Sequence, residues 1–360
     1  MFKDLSSISQ RLFSSIFFYA FLFLVFVGTV MYLFLGKEAK DALVAQMLHR
    51  EQADARVGAA SIAGLFELVG NAIVTMSSRD EVVNPGPQTD AFFNSFLDRW
   101  KDTPLTNIFL VDKNGKVAYA ASSELTIEKG VSVADREYFV WAKNAANADY
   151  YVSGAIISRL GGENYYVVPI ASPILDKSGN FNGALVVEVS VSHLAQQYVD
   201  PLKISDKSEI YLVKADGTFI YAPFKELLGE NFFTYLNSHK FLGSEVLVDK
   251  LRDWFENIEE GKVQVAYPSN IDINSPLKSR LLAYTPVNLK SERWILVLST
   301  PEEDALIAST SLYFGQGVAI FLIFLAFLGL SMRIAKYSGY RQAKMGNPNK
   351  KETSILSSKT

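Results

Sequence analysis

Cysteine is absent from the 360 residues, which rules out a disulfide framework and thiolate metal sites. The absence also fits a compartment where stray thiols oxidise. Histidine is scarce. His49, His193 and His239 are the three, far apart in sequence, so a histidine-rich metal centre is not expected and a Ser/His/Asp constellation has little support. Charge of one sign is lacking too: the net charge is -3 and no basic face dominates, so nucleic acid is not an expected partner. The central portion has no Walker loop and no Rossmann glycine pattern. Asp112-Lys-Asn-Gly115 opens like a calcium loop, but no acid closes a twelve-residue frame, and it reads as a hairpin turn. Gly161-Gly-Glu-Asn164 likewise reads as a turn between strands. No cofactor is expected, and an enzyme is the weakest function class.

Two stretches lack charge altogether. Residues 12–36 and 305–332 carry no Asp, Glu, Lys or Arg, and each exceeds the roughly 20 residues a helix needs to cross a bilayer. The first is longer than a signal-peptide apolar core and leaves through Phe34-Leu35-Gly36-Lys37 without a small-x-small cleavage site, so it reads as an uncleaved anchor. Arg333, Lys336, Arg341, Lys344, Lys350, Lys351 and Lys359 follow the second stretch against the single acid Glu352. Basic residues stay on the cytoplasmic side, which places both termini inside and the middle outside the cytoplasm. The expected layout is a cytoplasmic N-terminus (1–11), a transmembrane helix (12–36), an outer domain (37–311), a second transmembrane helix (312–332) and a short basic tail (333–360).

Within the outer domain, 37–78 contains no proline and reads as a stem helix, with Leu65, Phe66, Val69 and Ile73 on one stripe. Its polar first half, with Arg50, Glu51 and Asp54, could pair with a second copy of the chain. Pro85-Gly86-Pro87 breaks the chain before a short helix bearing Phe92, Phe93, Phe96, Leu97 and Trp100. Strand signals then begin. Residues 108–120 (IFLVDKNGKVAYA) are two β-prone runs around an Asp/Asn/Gly turn, and 210–222 (IYLVKADGTFIYA) repeat the design at an offset of 102. Each copy runs on to two further strands joined by a polar turn, at 176–179 and at 289–292. A period near 100 residues suits a duplicated domain, with a first module at 105–195 and a second at 205–304.

At this point the sequence resembles the double Cache (dCache) sensor domains of bacterial transmembrane receptors. The features that carry the likeness are the order span, long helix, two PAS-like modules, span, together with Asp135-Arg136-Glu137-Tyr138-Phe139, Tyr151-Val-Ser-Gly154 and the strand from Gly183 to Glu188. The implied fold class is α+β: two transmembrane helices flanking a long stem helix and two tandem PAS-like modules with antiparallel sheets. The resemblance implies an inner-membrane sensor that binds a small molecule in the first, membrane-distal module. It also implies a homodimer through the stem helix.

The expected ligand-binding residues are Arg136, Tyr138, Phe139, Tyr151, Ser153, Arg159 and Glu188. A guanidinium is suited to two-pronged capture of a carboxylate, with the aromatics as walls. Arg136 could instead pair with Asp135 or Glu137, and Arg159 could simply be solvated. Amino-acid-binding members would carry a tyrosine where Val131 stands and an aspartate where Glu188 stands, so an organic anion is favoured over an amino acid. The 28-residue tail is too short for an output domain. Signalling through a separate partner is therefore expected. The alternatives are the sensory portion of a longer receptor (histidine kinase, diguanylate cyclase or chemoreceptor) and a periplasmic interaction scaffold.

Overall fold

The computed structural model of the chain describes residues 2–124, 127–160, 165–234, 260–268 and 277–304, with scattered positions at 249–257 and 315–333. The chain divides into two compact units, 1–43 with 306–360, and 44–305. The first helix, α1 (Phe2–Ser77), is unbroken and, by length and composition, long and apolar enough toward its N-terminal end to cross a membrane. The expected second span at 312–332 is described only in part, the tail at 333–360 lies outside the described residues except for Arg333, and the turn at 161–164 lies wholly outside them.

In the unit 44–305, α1 is followed by α2 (Asp80–Val83) and α3 (Gln88–Arg99), and then by the first sheet. That sheet holds β1 (Leu105–Asp112), β2 (Val117–Ser122), β3 (Tyr151–Val152), β4 (Ile156–Ile157), β5 (Tyr166–Leu175) and β6 (Phe181–Ser190), with α4 (Glu137–Asn144) inserted before β3. Its strand order is β2-β1-β6-β5-β3, and β4 also pairs with β5. A helical linker at 191–202 leads to the second sheet. This is formed by β7 (Glu209–Lys214), β8 (Phe219–Tyr221), β9 (Gly261–Pro268), β10 (Leu277–Asn288) and β11 (Arg293–Pro301), in the order β8-β7-β11-β10-β9. All pairings are antiparallel, and the two orders correspond strand for strand, as the 102-residue repeat predicts.

The hairpins form where the sequence places turn chemistry. Asp112 Oδ1 accepts from the backbone N–H of Asn114 and of Lys116, both at 2.9 Å, and Gly115 takes φ +83°. A side chain at Gly115 would meet Ala134 as well as the strained backbone, so the position requires glycine. Period-2 alternation then sorts each strand's residues to two faces. Ile108, Leu110, Leu185 and Val187 of the first sheet and Ile210, Leu212, Trp294 and Leu296 of the second share one core with Ala55, Ala59, Ile62, Phe66, Val69 and Ile73 of α1. These α1 positions recur every three or four residues, so a single helix stripe covers both sheets. Burying a side chain such as Phe66, which meets Trp294 edge-on at 5.2 Å, contributes about 1.5–3 kcal/mol. The opposite face of the first sheet packs under α4 through Phe109, Val111, Ala184, Val186, Tyr138 and Phe139.

The modules are also clasped directly. Ser291, in the β10–β11 turn, accepts from Val152 N–H (2.6 Å) and donates to Val152 C=O (2.9 Å), capping the open edge of β3. Lys290 beside it pairs with Asp149 and sits over the Tyr150 ring.

Candidate ligand-binding site

On the face of the first sheet under α4, one register position carries a buried carboxyl. Asn107 of β1 lies opposite Glu188 of β6, and both side chains are buried. Asn107 Nδ2 donates to Glu188 Oε2 at 2.6 Å, and the Ser158 hydroxyl, just beyond β4, lies 3.0 Å from each carboxylate oxygen. Burial raises the Glu188 pKa, while these hydrogen bonds and the nearby Arg136 pull it back. The Asn107 Oδ1 atom is buried and has no hydrogen-bond partner. A buried acceptor left without a donor is costly, at about 1–3 kcal/mol. Its natural remedy is a donor brought by something else.

Tyr138 and Phe139 close the cluster from α4, each 2% exposed. Phe139 meets Phe181 edge-on at 5.8 Å. Burial, and secondarily the Glu188 charge, push the Tyr138 phenol up, so it remains a neutral O–H. Arg136 immediately precedes α4 and donates through Nη2 to the Ile157 carbonyl at 2.9 Å. Among the described residues no carboxylate pairs with it. The pairings of Arg136 with Asp135 or Glu137 that the sequence left open are not found. Asp135 is held instead by Arg159, two-pronged at 2.5 and 2.6 Å, and Arg159 also reaches the Ser132 carbonyl. That pair keeps the Asp135 carboxyl down at about 2. Arg159 is therefore an exposed loop side chain anchored by Asp135 and the Ser132 carbonyl.

The Tyr151 ring stacks on Trp141 at 5.3 Å and its hydroxyl donates to Glu137 at 2.6 Å. With Glu137, Val140, Asn144 and Ala145 they line a shallow groove of about 430 Å³ on another flank of α4. Ser153 is buried, and its backbone N–H bonds the Pro169 carbonyl at 2.9 Å. The structure thus brings together Arg136, Tyr138, Phe139 and Glu188; Tyr151 packs in the same apolar cluster as Tyr138 and Phe139, with its hydroxyl turned to Glu137. Sequence reasoning missed Asn107 and Ser158. For Asn107 the signal was the repeat itself, because the 102-residue offset aligns it with Glu209, another polar residue among apolar strand positions.

The second sheet treats that equivalent position differently. Glu209 lies opposite Ser299 of β11 and faces Arg280, which is 1% exposed. Arg280 binds the Glu209 carboxylate (3.2 Å), the Ser299 hydroxyl (2.9 Å) and the carbonyls of Ser299 (3.1 Å) and Lys207 (3.2 Å). The second module carries its own buried cation for its buried acid.

Residues 39–309 match the Cache domain family dCache_1. The chain belongs to this family. Among solved structures, the Cache chain resembles a methyl-accepting chemotaxis protein X at 16% identity and TM-score 0.55, covering 71% of this chain and 98% of the other. It resembles the ligand-binding domain of the Pseudomonas fluorescens chemoreceptor CtaA in complex with L-isoleucine at 16% identity and TM-score 0.51, covering 74% and 98%. An extracellular ligand binding receptor from Desulfohalobium retbaense aligns at 16% identity and TM-score 0.51 over 69% of this chain, which spans only 39% of that receptor. At such identities these likenesses establish the fold. No protein with a curated function matches the sequence.

Proposed function

We propose that this Cache chain is a membrane-anchored sensor that binds a small organic anion in its first module, outside the cytoplasm, and signals through a separate partner. The observation that carries the reading is the buried, donor-hungry pair Asn107–Glu188 set beside Arg136, whose guanidinium meets no carboxylate among the described residues. A carboxylate ligand would take the free part of the Arg136 fork, while a hydroxyl on the same ligand would supply the donor that Asn107 Oδ1 lacks. Tyr138 and Phe139 would form the apolar wall. The chemoreceptor CtaA domain, a relative in fold, was captured with L-isoleucine, which supports a ligand of this size. An ammonium group suits this chain less well. Glu188 already accepts from Asn107 and Ser158, and burial holds it toward its neutral form, so it is a weak counter-ion.

In this reading, 12–36 and 312–332 span the inner membrane with both termini cytoplasmic. Phe23, Phe26 and Phe34 support the first span, since they are exposed on α1 as lipid-facing side chains would be. Modules 105–195 and 205–304 form the outer sensor, and two copies pair through the stem helix. The fold relatives are sensory domains, which supports a chain with no catalytic step of its own. The test is a thermal-shift screen of the full chain in lipid nanodiscs against hydroxy acids, dicarboxylates, amino acids, amines and sugars. At least one carboxylate should stabilise it, and the effect should vanish in Arg136→Ala. Failure of every compound, or stabilisation that survives Arg136→Ala, overturns the reading.

A further inference from the structure

A further buried carboxyl lies outside the ligand site, where α1 crosses the second sheet. Glu51 occupies the inward stripe of α1, one turn before Ala55, and is 0% exposed. Neither of its oxygens has a hydrogen-bond partner. Its neighbour Gln52 is also turned in. Gln52 donates to Thr285 Oγ1 (2.8 Å) and to the Tyr284 carbonyl (3.2 Å), but its own Oε1 is buried without a donor. The seam is therefore short of donors and rich in acceptors. That is a setting in which a carboxylate is strongly disfavoured and a neutral carboxylic acid, with one O–H to give, is favoured.

The surrounding charges do not reverse this. Arg280 of β10 is the nearby cation, and it is engaged by Glu209 of β7, by Ser299 and by the Lys207 carbonyl. Thr300 of β11 lies close enough to favour the charged form, and its hydroxyl also meets Ser208 at 2.9 Å in a contact where either oxygen can donate. Asp54, on α1 itself, adds like charge and is paired with Arg50 at 3.7 Å. Beyond β11, Glu302 accepts from Gln264, and Asp304 pairs with Lys207. Burial dominates, and the Glu51 pKa is pushed up to about 8.

We propose that Glu51 is a proton-binding site that seats α1 on the second sheet, giving this protein an input from external pH that is separate from its small-molecule site. Protonated, Glu51 is a compatible part of the helix–sheet seam. Ionised, it places an unpaired charge there, and the favoured response is for this part of α1 to lift toward water. Because α1 runs on toward the N-terminal apolar stretch, the change is carried by the element best placed to report it.

The sign follows from linkage. A carboxyl whose pKa is raised in the folded chain destabilises that chain progressively above its unfolded value and fully above its folded value. Relative to Glu51→Gln, wild type should therefore lose stability between about pH 5 and pH 8, by up to tenfold in the folding equilibrium per pH unit, and then level off. The experiment compares melting of the full chain in nanodiscs from pH 5 to 9.5 for wild type, Glu51→Gln and Glu51→Met. In parallel, spin labels on cysteines placed at exposed Ala53 and Arg293, made simple by the cysteine-free chain, read the helix–sheet distance. The expected result is a wild-type distance that lengthens near pH 8 and stays fixed in both variants. A wild-type distance unchanged up to pH 9.5, or the same pH response in wild type and whichever variant folds, overturns the proposal. Neither readout involves the first module's ligand, so either reading can fail alone.

Discussion

The two sheets are copies of one design that differ at a single chemically decisive place. In the first, the inward acid Glu188 is bonded by Asn107 and Ser158, and an acceptor remains unanswered on Asn107. In the second, the equivalent face holds Glu209 with Arg280 bound across it. One module has filled its polar socket with its own guanidinium and the other has not. The lesson is that duplication allowed the copies to diverge. Both sheets support α1 alike, and in the reading proposed here the unsatisfied one keeps a place for an external molecule.

The comparison can be broken at several points. The largest expected effect is from Arg280→Met. This substitution leaves Glu209 buried without its cation, so the folded state should lose about 3–5 kcal/mol, read by denaturant unfolding followed through Trp294 fluorescence. Glu188→Leu should be milder, about 1–3 kcal/mol, because it orphans Asn107 Nδ2 and the Ser158 hydroxyl rather than a charge. Glu188→Gln sharpens the same point through pH. Burial raises the Glu188 pKa, so wild type should lose stability relative to the glutamine variant as pH rises above the unfolded carboxyl value of 4.5. A difference that ran the other way would mean that Glu188 is a well-stabilised anion.

Tyr151→Phe removes one bond to Glu137 and should cost about 0.5–1.5 kcal/mol while leaving ligand stabilisation intact. Loss of ligand response in that variant would move the site to the Trp141 groove. Asp135→Asn should have the smallest effect. The Asp135–Arg159 pair is exposed, and its benefit, present above the unfolded value of 3.8, is lost as pH falls through about 2. Melting at neutral pH should barely move.

Much of this fold was legible because it is written in short-range patterns. The repeated β-hairpins, the proline-free stem and the two polar turns rest on alternation and turn residues within about a dozen positions, and each is found where the sequence places it. The site was only half legible. The signature around Arg136, Tyr138 and Phe139 marks the α4 face beside the buried Glu188, but the engagement of Arg159 by Asp135 joins residues 24 apart through loop geometry that no local pattern encodes. Asn107 sits at the start of a strand where a lone amide looks incidental. It becomes meaningful only when register places it opposite Glu188. Glu51 is the converse case. The three-to-four spacing of Ala55, Ala59, Ile62 and Phe66 extends back to it, yet its charge makes that half of the stem read as solvent-facing.

The most direct test is a calorimetric titration of the full chain with the best stabilising carboxylate, in wild type, Arg136→Ala, Asn107→Ala and Glu209→Gln. The account predicts one site per chain, lost in Arg136→Ala, weakened at least tenfold in Asn107→Ala and preserved in Glu209→Gln. Binding that survives both first-module substitutions and disappears with Glu209→Gln would contradict it.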